Sequence, residues 1–313
     1  MIPYPRARRL AAGLVLLAGT AQAAPTAPAA PEAPAGKEVP AGEGAPEVLA
    51  NHRAVYDLSL ASGGGTRAVE SARGRIVIDF RGDACRGYTM QTRQVTELTS
   101  AETGARLSDM RSTTFEGGQG REFRFKTTTL TDNKPAAPVD GTATATADAL
   151  TVKLKGPGKP LSVEGPVLFP SLHMRRLVEA ARAGKTTLSA KVYDGSDDGR
   201  KVYDTFAVIG HAATGPAPAA GDARDKPLRT GPIAAVPHWP VTLSYFTAGA
   251  GERTPIYTLS FDLYENGVSG ALKLDYGEFA IRGDMTALDL EADKAAEKGG
   301  EKGRGGEAKG CAP

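Results

Sequence analysis

Tyr257-Thr-Leu-Ser-Phe-Asp-Leu-Tyr-Glu-Asn-Gly-Val-Ser-Gly-Ala-Leu-Lys-Leu-Asp-Tyr276 is the stretch whose reading decides the fold. Asn266-Gly267 lies at its centre. Both residue types tolerate positive φ, so the pair predicts a two-residue type I′ hairpin loop. With that loop Glu265 faces Val268. Counting outward, Phe261 meets Leu272, Leu259 meets Leu274 and Tyr257 meets Tyr276. On the other face Ser260 meets Lys273 and Thr258 meets Asp275. Apolar meets apolar and polar meets polar, and a slip of one residue would destroy both matches.

The same alternation recurs outward from this hairpin. Ile76, Ile78 and Phe80 share one face. Phe123 and Phe125 alternate with Arg124 and Lys126, and Val152 and Leu154 with Lys153 and Lys155. Leu188, Ala190 and Val192 alternate with Ser189 and Lys191. Each run reads as a strand with one dry and one wet face. The gap between Gly195 and Gly199 predicts a hairpin joining 186–193 to 200–209. Thr242 to Thr247 and Phe279 to Leu290 add strands, for about twelve to fourteen in a meander or barrel. One segment reads as a helix. Ser171 is its expected N-cap, Leu172, Leu177, Val178 and Ala181 its apolar stripe, and Gly184 suits C′. A lone helix among antiparallel strands packs on a sheet face or plugs an opening. The reading is therefore all-β with one short helix, an antiparallel spiral or partly closed barrel.

The amino terminus reads as a secretory signal peptide over residues 1–23. Arg6, Arg8 and Arg9 form its basic start, Leu10 to Ala18 its apolar stretch, and Ala21-Gln22-Ala23 an A-x-A cleavage site. That stretch is about half the ~20 residues needed to cross a bilayer, so no transmembrane anchor is expected after cleavage. Removing it takes three arginines from 38 basic residues and leaves 35 against 36 acidic ones. A chain so balanced has no overall field to attract nucleic acid or anionic lipid. Residues 24–47 are Ala/Pro/Gly-rich with almost nothing large to bury, and read as a disordered leader. The β domain is expected over 48–290, with Ala212 to Ala223 as a loop insertion. Residues 291–313 read as a flexible Lys/Glu/Gly-rich tail.

Of 313 residues only Cys85 and Cys311 are cysteines. That is too few for a four-cysteine zinc site. In an exported chain the two read as one disulfide, the alternative being two unpaired thiols. Closing a loop of about 225 residues would contribute about 2–4 kcal/mol by restricting the unfolded chain.

The motifs together resemble the EipB family of periplasmic envelope-integrity proteins of alphaproteobacteria. The resemblance is carried by His52-Arg53-Ala54-Val55-Tyr56, by Asp83-x-Cys85-x-Gly87-Tyr88 with Arg93, and by Phe169-Pro170-Ser171-x-His173 with Ala180-Ala181-x-Ala183-Gly184. Val192-Tyr193-Asp194-Gly195-Ser196-Asp197, Lys201-Val202-Tyr203 and Val208-Ile209-Gly210 add to it, and Cys311 completes it. It covers roughly residues 48–290 plus Cys311. It implies a spiral, lipocalin-like sheet with a Cys85–Cys311 disulfide, and a non-enzymatic role in maintaining the cell envelope. It also implies a tetratricopeptide-repeat protein as partner. The leader and the stretched tail depart from the family pattern.

Other constellations are weak. Asp194-Gly195-Ser196-Asp197-Asp198-Gly199 matches half a calcium loop, but position 12 is Thr205, so it reads as an Asp/Gly turn. His52, His173, His211 and His238 have no metal-ligand spacing. Gly63-Gly64-Gly65 lacks the rest of a phosphate loop and reads as a hairpin tip. Gly267-Val268-Ser269-Gly270 falls short of a nucleophile elbow. Arg81-Gly82-Asp83 reads as structural, and Trp239 as packing at the mouth of the sheet. No catalytic residue, metal or cofactor is expected. Phe123, Phe125, Leu259 and Phe261 are expected inside a concave face that receives a lipid chain, a peptide or the helix. A periplasmic binding or scaffold role is the main reading; a lipocalin-type lipid carrier and an envelope hydrolase are its rivals.

Overall fold

A computed structural model describes residues 49–63, 69–215, 224–247 and 254–291. The expected signal peptide, the leader, Gly64-Gly65, most of the 212–223 insertion and the tail with Cys311 lie outside the described residues. No helix among the described residues is long and apolar enough to cross a membrane.

Strands β1 (His52–Gly63), β2 (Val69–Asp83), β3 (Gly87–Ser100), β4 (Gly104–Glu116) and β5 (Glu122–Thr131) come first. The two-residue β6 (Lys134–Pro135), β7 (Val139–Ala145), β8 (Ala149–Leu154) and β9 (Leu161–Glu164) follow. Helix α1 (Pro170–Arg182) leads to β10 (Thr187–Val192), β11 (Tyr203–Ile209), β12 (His238–Thr247), β13 (Tyr257–Tyr264), β14 (Ser269–Asp275) and β15 (Phe279–Leu290). They form one 15-stranded sheet, slightly more strands than the sequence suggests. Its spatial order is β10 to β15, then β1 to β5, then β7 to β9, with β6 beside β5. Every ladder is antiparallel, and β1 pairs with both β2 and β15.

The two edges, β9 and β10, flank α1 in sequence. They approach at a single parallel bridge between Leu168 and Val192. Leu168 N–H donates to Lys191 O (2.8 Å), and Tyr193 N–H to Leu168 O (3.0 Å). The sheet therefore curls without closing: it keeps the expected antiparallel all-β form and corrects the expectation that one disulfide closes it. Cys85 sits in the β2–β3 turn, so a bond from there to the chain after β15 would span β1. The seam lies elsewhere, between β9 and β10.

Alternation explains which face is inside. In β5, Phe123 and Phe125 are buried while Glu122, Arg124 and Lys126 are exposed. Phe123, Phe169 and Tyr193 form an aromatic knot with Phe125. Phe261 and Trp239 belong to the larger core cluster, and Leu259 packs against it. Within α1, Leu177, Val178, Ala180 and Ala181 are buried, and so are Ser171, His173 and Arg175. The helix thus fills the concave face as a plug.

Two local expectations are corrected. The helix N-cap is Phe169 with Pro170 at N1, not Ser171. At the other end Gly184 takes φ +69°, and Lys185 N–H donates to Ala180 O while Gly184 N–H donates to Ala181 O. This is a Schellman stop, as Gly184 suggests.

The hairpin keeps its outer register: Thr258 pairs with Asp275, Leu259 with Leu274 and Ser260 with Lys273. Nearer the turn, however, Asp262 pairs with Gly270 and Leu263 with Ser269. The loop is Glu265-Asn266-Gly267, closed by Gly267 N–H to Tyr264 O (2.8 Å), with Gly267 at φ +83°. A three-residue loop ending in a left-handed residue replaces the expected type I′ turn. The extra loop residue is offset by a bulge in β14, where Ala271 takes φ +50° and both Ala271 and Leu272 oppose Phe261.

Candidate functional site: the cavity under the helix

The first turn of α1 and the concave face enclose a cavity of about 140 Å³. Ile78, Phe80, Met90, Phe123 and Met174 make its walls chiefly apolar. Six polar residues also line it: His52 and Tyr56 from β1, Thr114 and Glu116 from β4, Ser171 from α1 and Ser269 from β14.

Glu116 is 2% exposed and comes from the end of β4. Ser171 N–H donates to its Oε2 (2.6 Å) and Leu172 N–H to its Oε1 (2.8 Å). The first turn of α1 has no acidic residue of its own. A strand carboxylate therefore supplies both the acceptors and the negative charge that a helix N-terminus favours. Burial pushes the Glu116 carboxyl above its usual range, against the pull of the two amides and of Arg175. Arg175 is buried beside it and donates from Nη2 to Gly118 O (3.1 Å). No signal near Ser171 in the sequence points to Glu116, because the contact joins residues 55 positions apart.

The His52 and Tyr56 side chains are spent on backbone. His52 Nδ1–H donates to Ala50 O (2.8 Å), and burial pushes this imidazole below its usual value. Tyr56 O–H donates to Ser269 O (2.6 Å), and burial raises its phenol strongly. Leu49 N–H donates to Tyr88 Oη (3.2 Å), fastening the segment before β1 over Phe80 and Tyr88, whose rings stack at 4.9 Å. Only Glu116 also meets a side chain, that of Ser171, which it holds together with the Ser171 amide.

The remaining residues singled out in the sequence are dispersed. Cys85 is exposed in a turn that Asp83 builds by accepting from Cys85 N–H (2.9 Å) and Arg86 N–H (2.7 Å). In the Asp/Gly turn, Asp194 Oδ1 accepts Ser196 N–H (2.9 Å), while Asp197 Oδ2 takes the Tyr203 hydroxyl and the Lys201 ammonium. Its oxygens are thus engaged as a turn needs. Among the described residues no three His, Cys, Asp or Glu side chains gather as metal ligands. His211 is exposed, whereas His52, His173 and His238 are buried on separate elements.

Comparison with known proteins follows this geometry. A family model described as EipB-like matches residues 43–292. The cell envelope integrity protein EipB of Brucella abortus (strain 2308) is 34% identical over 244 residues, covering 77% of this chain and 84% of that protein. The crystal structure of a beta-barrel-like protein of the domain of unknown function DUF1849, also from Brucella abortus, superposes with a TM-score of 0.70 at 34% identity. That alignment covers 78% of this chain and 98% of the other.

Proposed function

This chain belongs to the EipB-like family, and from that premise we propose that it is a periplasmic, non-enzymatic protein that supports the integrity of the cell envelope. It acts as a binding or scaffold module whose concave face holds α1 and offers the small cavity beneath it. One observation carries the non-enzymatic part. His52 and Tyr56 are committed to main-chain partners, and Glu116, which also takes the Ser171 side chain, is held by the first two amides of α1. A hydrolase would need such groups converging on a substrate.

The size of the cavity bears on the lipid-carrier rival. At about 140 Å³ it compares with the ~150 Å³ engineered cavity that takes up benzene. It has room for one ring or a few methylenes of an acyl chain. As further parts of the proposal, residues 1–23 direct export, Cys85 and Cys311 form a disulfide, and a tetratricopeptide-repeat protein is a partner.

Deleting the gene in the source organism should sensitise cells to a membrane-perturbing detergent, and the full-length gene should restore resistance. Deletion cells as resistant as their parent would refute the envelope role. Met174→Trp, which fills the cavity, separates the two modes. A scaffold keeps its complementing activity in this variant; a carrier loses it, together with any acyl species seen by native mass spectrometry.

A further inference from the structure

The sheet's free edge at β10 carries a second recognition surface, on the convex side and away from the cavity. Thr187, Ser189 and Lys191 lie opposite Val208, Phe206 and Asp204 of β11. Ile209 N–H donates to Thr186 O (2.8 Å). In an antiparallel ladder that sets the phase, so the main-chain groups of Leu188, Ala190 and Val192 face β11. Those of Thr187, Ser189 and Lys191 therefore face outward. Leu168 takes the Lys191 carbonyl, at the only point where β9's continuation meets this edge. The N–H and C=O groups of Thr187 and Ser189 are left over.

The side chains beside them are equally suggestive. Phe206 is 40% exposed and Val208 48%, large values for apolar residues of a strand. Each stands directly across from a small hydroxyl residue of β10, Ser189 and Thr187 respectively. An open hollow of about 660 Å³ runs along this edge, lined by Ser189, Ala190 and Lys191 of β10, by Asp204 and Phe206 of β11, and by Leu168. Sheet proteins protect bare edges with charge, proline or covering chain. Here the one edge lysine, Lys191, sits where Leu168 already pairs, and the bare stretch has neither charge nor proline.

We propose that the β10 edge docks an extended segment of another protein by strand addition. Its main chain bonds to Thr187 and Ser189, and its alternate, bulky apolar side chains cover Phe206 and Val208. A hydrogen-bonding strand edge specifies a peptide, since an acyl chain offers nothing to two amides and two carbonyls. Composition argues that the occupant is foreign. Apart from prolines, residues 292–313 contain no apolar side chain larger than alanine except Cys311, and residues 24–48 contain only Val39 and Val48. A second copy pairing β10 with β10 would bring only Thr187, Ser189 and Lys191 to the hollow and leave it unfilled. The inference does not depend on what the cavity under α1 accepts.

Amide hydrogen exchange on the mature full chain and anisotropy of a fluorescein-labelled Thr-Val-Thr-Phe-Thr-Val-Thr peptide test it. In the free protein, Thr187 and Ser189 should exchange fast while Leu188 and Ala190 exchange slowly. The peptide should bind saturably and slow exchange at Thr187 and Ser189. N-methylation of alternate peptide amides should abolish binding in one phase and spare it in the other. Ser189→Pro removes the outward N–H from an edge position that tolerates proline, and should weaken binding at least ten-fold with an unchanged melting temperature. Ser189→Tyr, which fills the hollow without touching the backbone, should do the same if the proline variant fails to fold. Absence of peptide binding, undiminished binding by both variants, or protection of Thr187 and Ser189 in the free monomer would overturn the proposal. So would a dimer of the free chain that Ser189→Pro dissociates.

Discussion

Glu116 shows how a single strand residue can govern a distant element. Its two oxygens take both free amides at the start of α1, so Glu116→Ala strands two buried donors. The expected loss is about 2–4 kcal/mol, and Glu116→Gln, which keeps one acceptor, should lose less. Urea unfolding of the two variants beside the parent measures both. His173 sets a second dependence, on pH. It is buried on α1, its Nε2 has no partner, and burial pushes the imidazole down to about 4 from an ordinary value of 6.5. The unfolded chain therefore takes up a proton first as pH falls. Stability is complete above about 6.5 and is lost progressively toward 4, by up to about 3 kcal/mol. Glu116, with its carboxyl raised by burial, contributes the opposite slope in the acid range. For this reason the test is a comparison of the parent with His173→Leu. The variant should lose less stability between pH 6.5 and 4, and parallel curves would refute the assignment.

At the level of elements, the β13–β14 hairpin marks what local sequence can and cannot convey. Its outer pairs follow from alternation alone, because each mismatch would bury a charge or expose a leucine. Its inner pairs do not. The bulge that re-phases them is held from far along the chain by Asp225, ahead of a short 3-10 turn (Lys226–Arg229). Asp225 accepts Ala271 N–H at Oδ2 (3.2 Å) and Met285 N–H at Oδ1 (2.6 Å). Nothing within 257–276 announces that clasp, so an Asn-Gly pair was bound to read as a two-residue turn. The same holds for α1: its Gly184 stop is local and legible, whereas its Glu116 cap is long-range and was not. Most of the strands and their inward faces are thus readable, while the cavity is not, because its polar wall comes from β1, β4, α1 and β14, which lie far apart in sequence. Asp225→Ala should cost about 1–3 kcal/mol through the two amides left bare. Hydrogen exchange should accelerate at Ala271 and Met285 while Leu259 and Leu274, beyond the bulge, keep their protection.

At the scale of the whole molecule, the proposed disulfide has a narrower task than closing a barrel. A bond from the β2–β3 turn would hold the chain beyond β15 across β1, alongside the Arg81–Glu291 ion pair at 2.5 Å. Cys311→Ser should then lower stability by about 2–4 kcal/mol through the unfolded state. Guanidinium melts with and without reductant measure this, and exchange at Leu168 and Tyr193, on the seam, should not change. Equal stability of parent and variant under oxidising conditions would show that no such bond forms.

The pairing of β15 with β1 also fixes an order of assembly. The first strand of the domain waits for the last, so a chain emerging into its compartment carries an unpaired inner edge until nearly its whole length has arrived. Any truncation before Phe279 would leave two half-sheets with no strand between them. A circular permutant cut between β9 and β10, with the natural ends joined, would instead lay every strand down beside its predecessor. It should reach the native state sooner than the natural chain does.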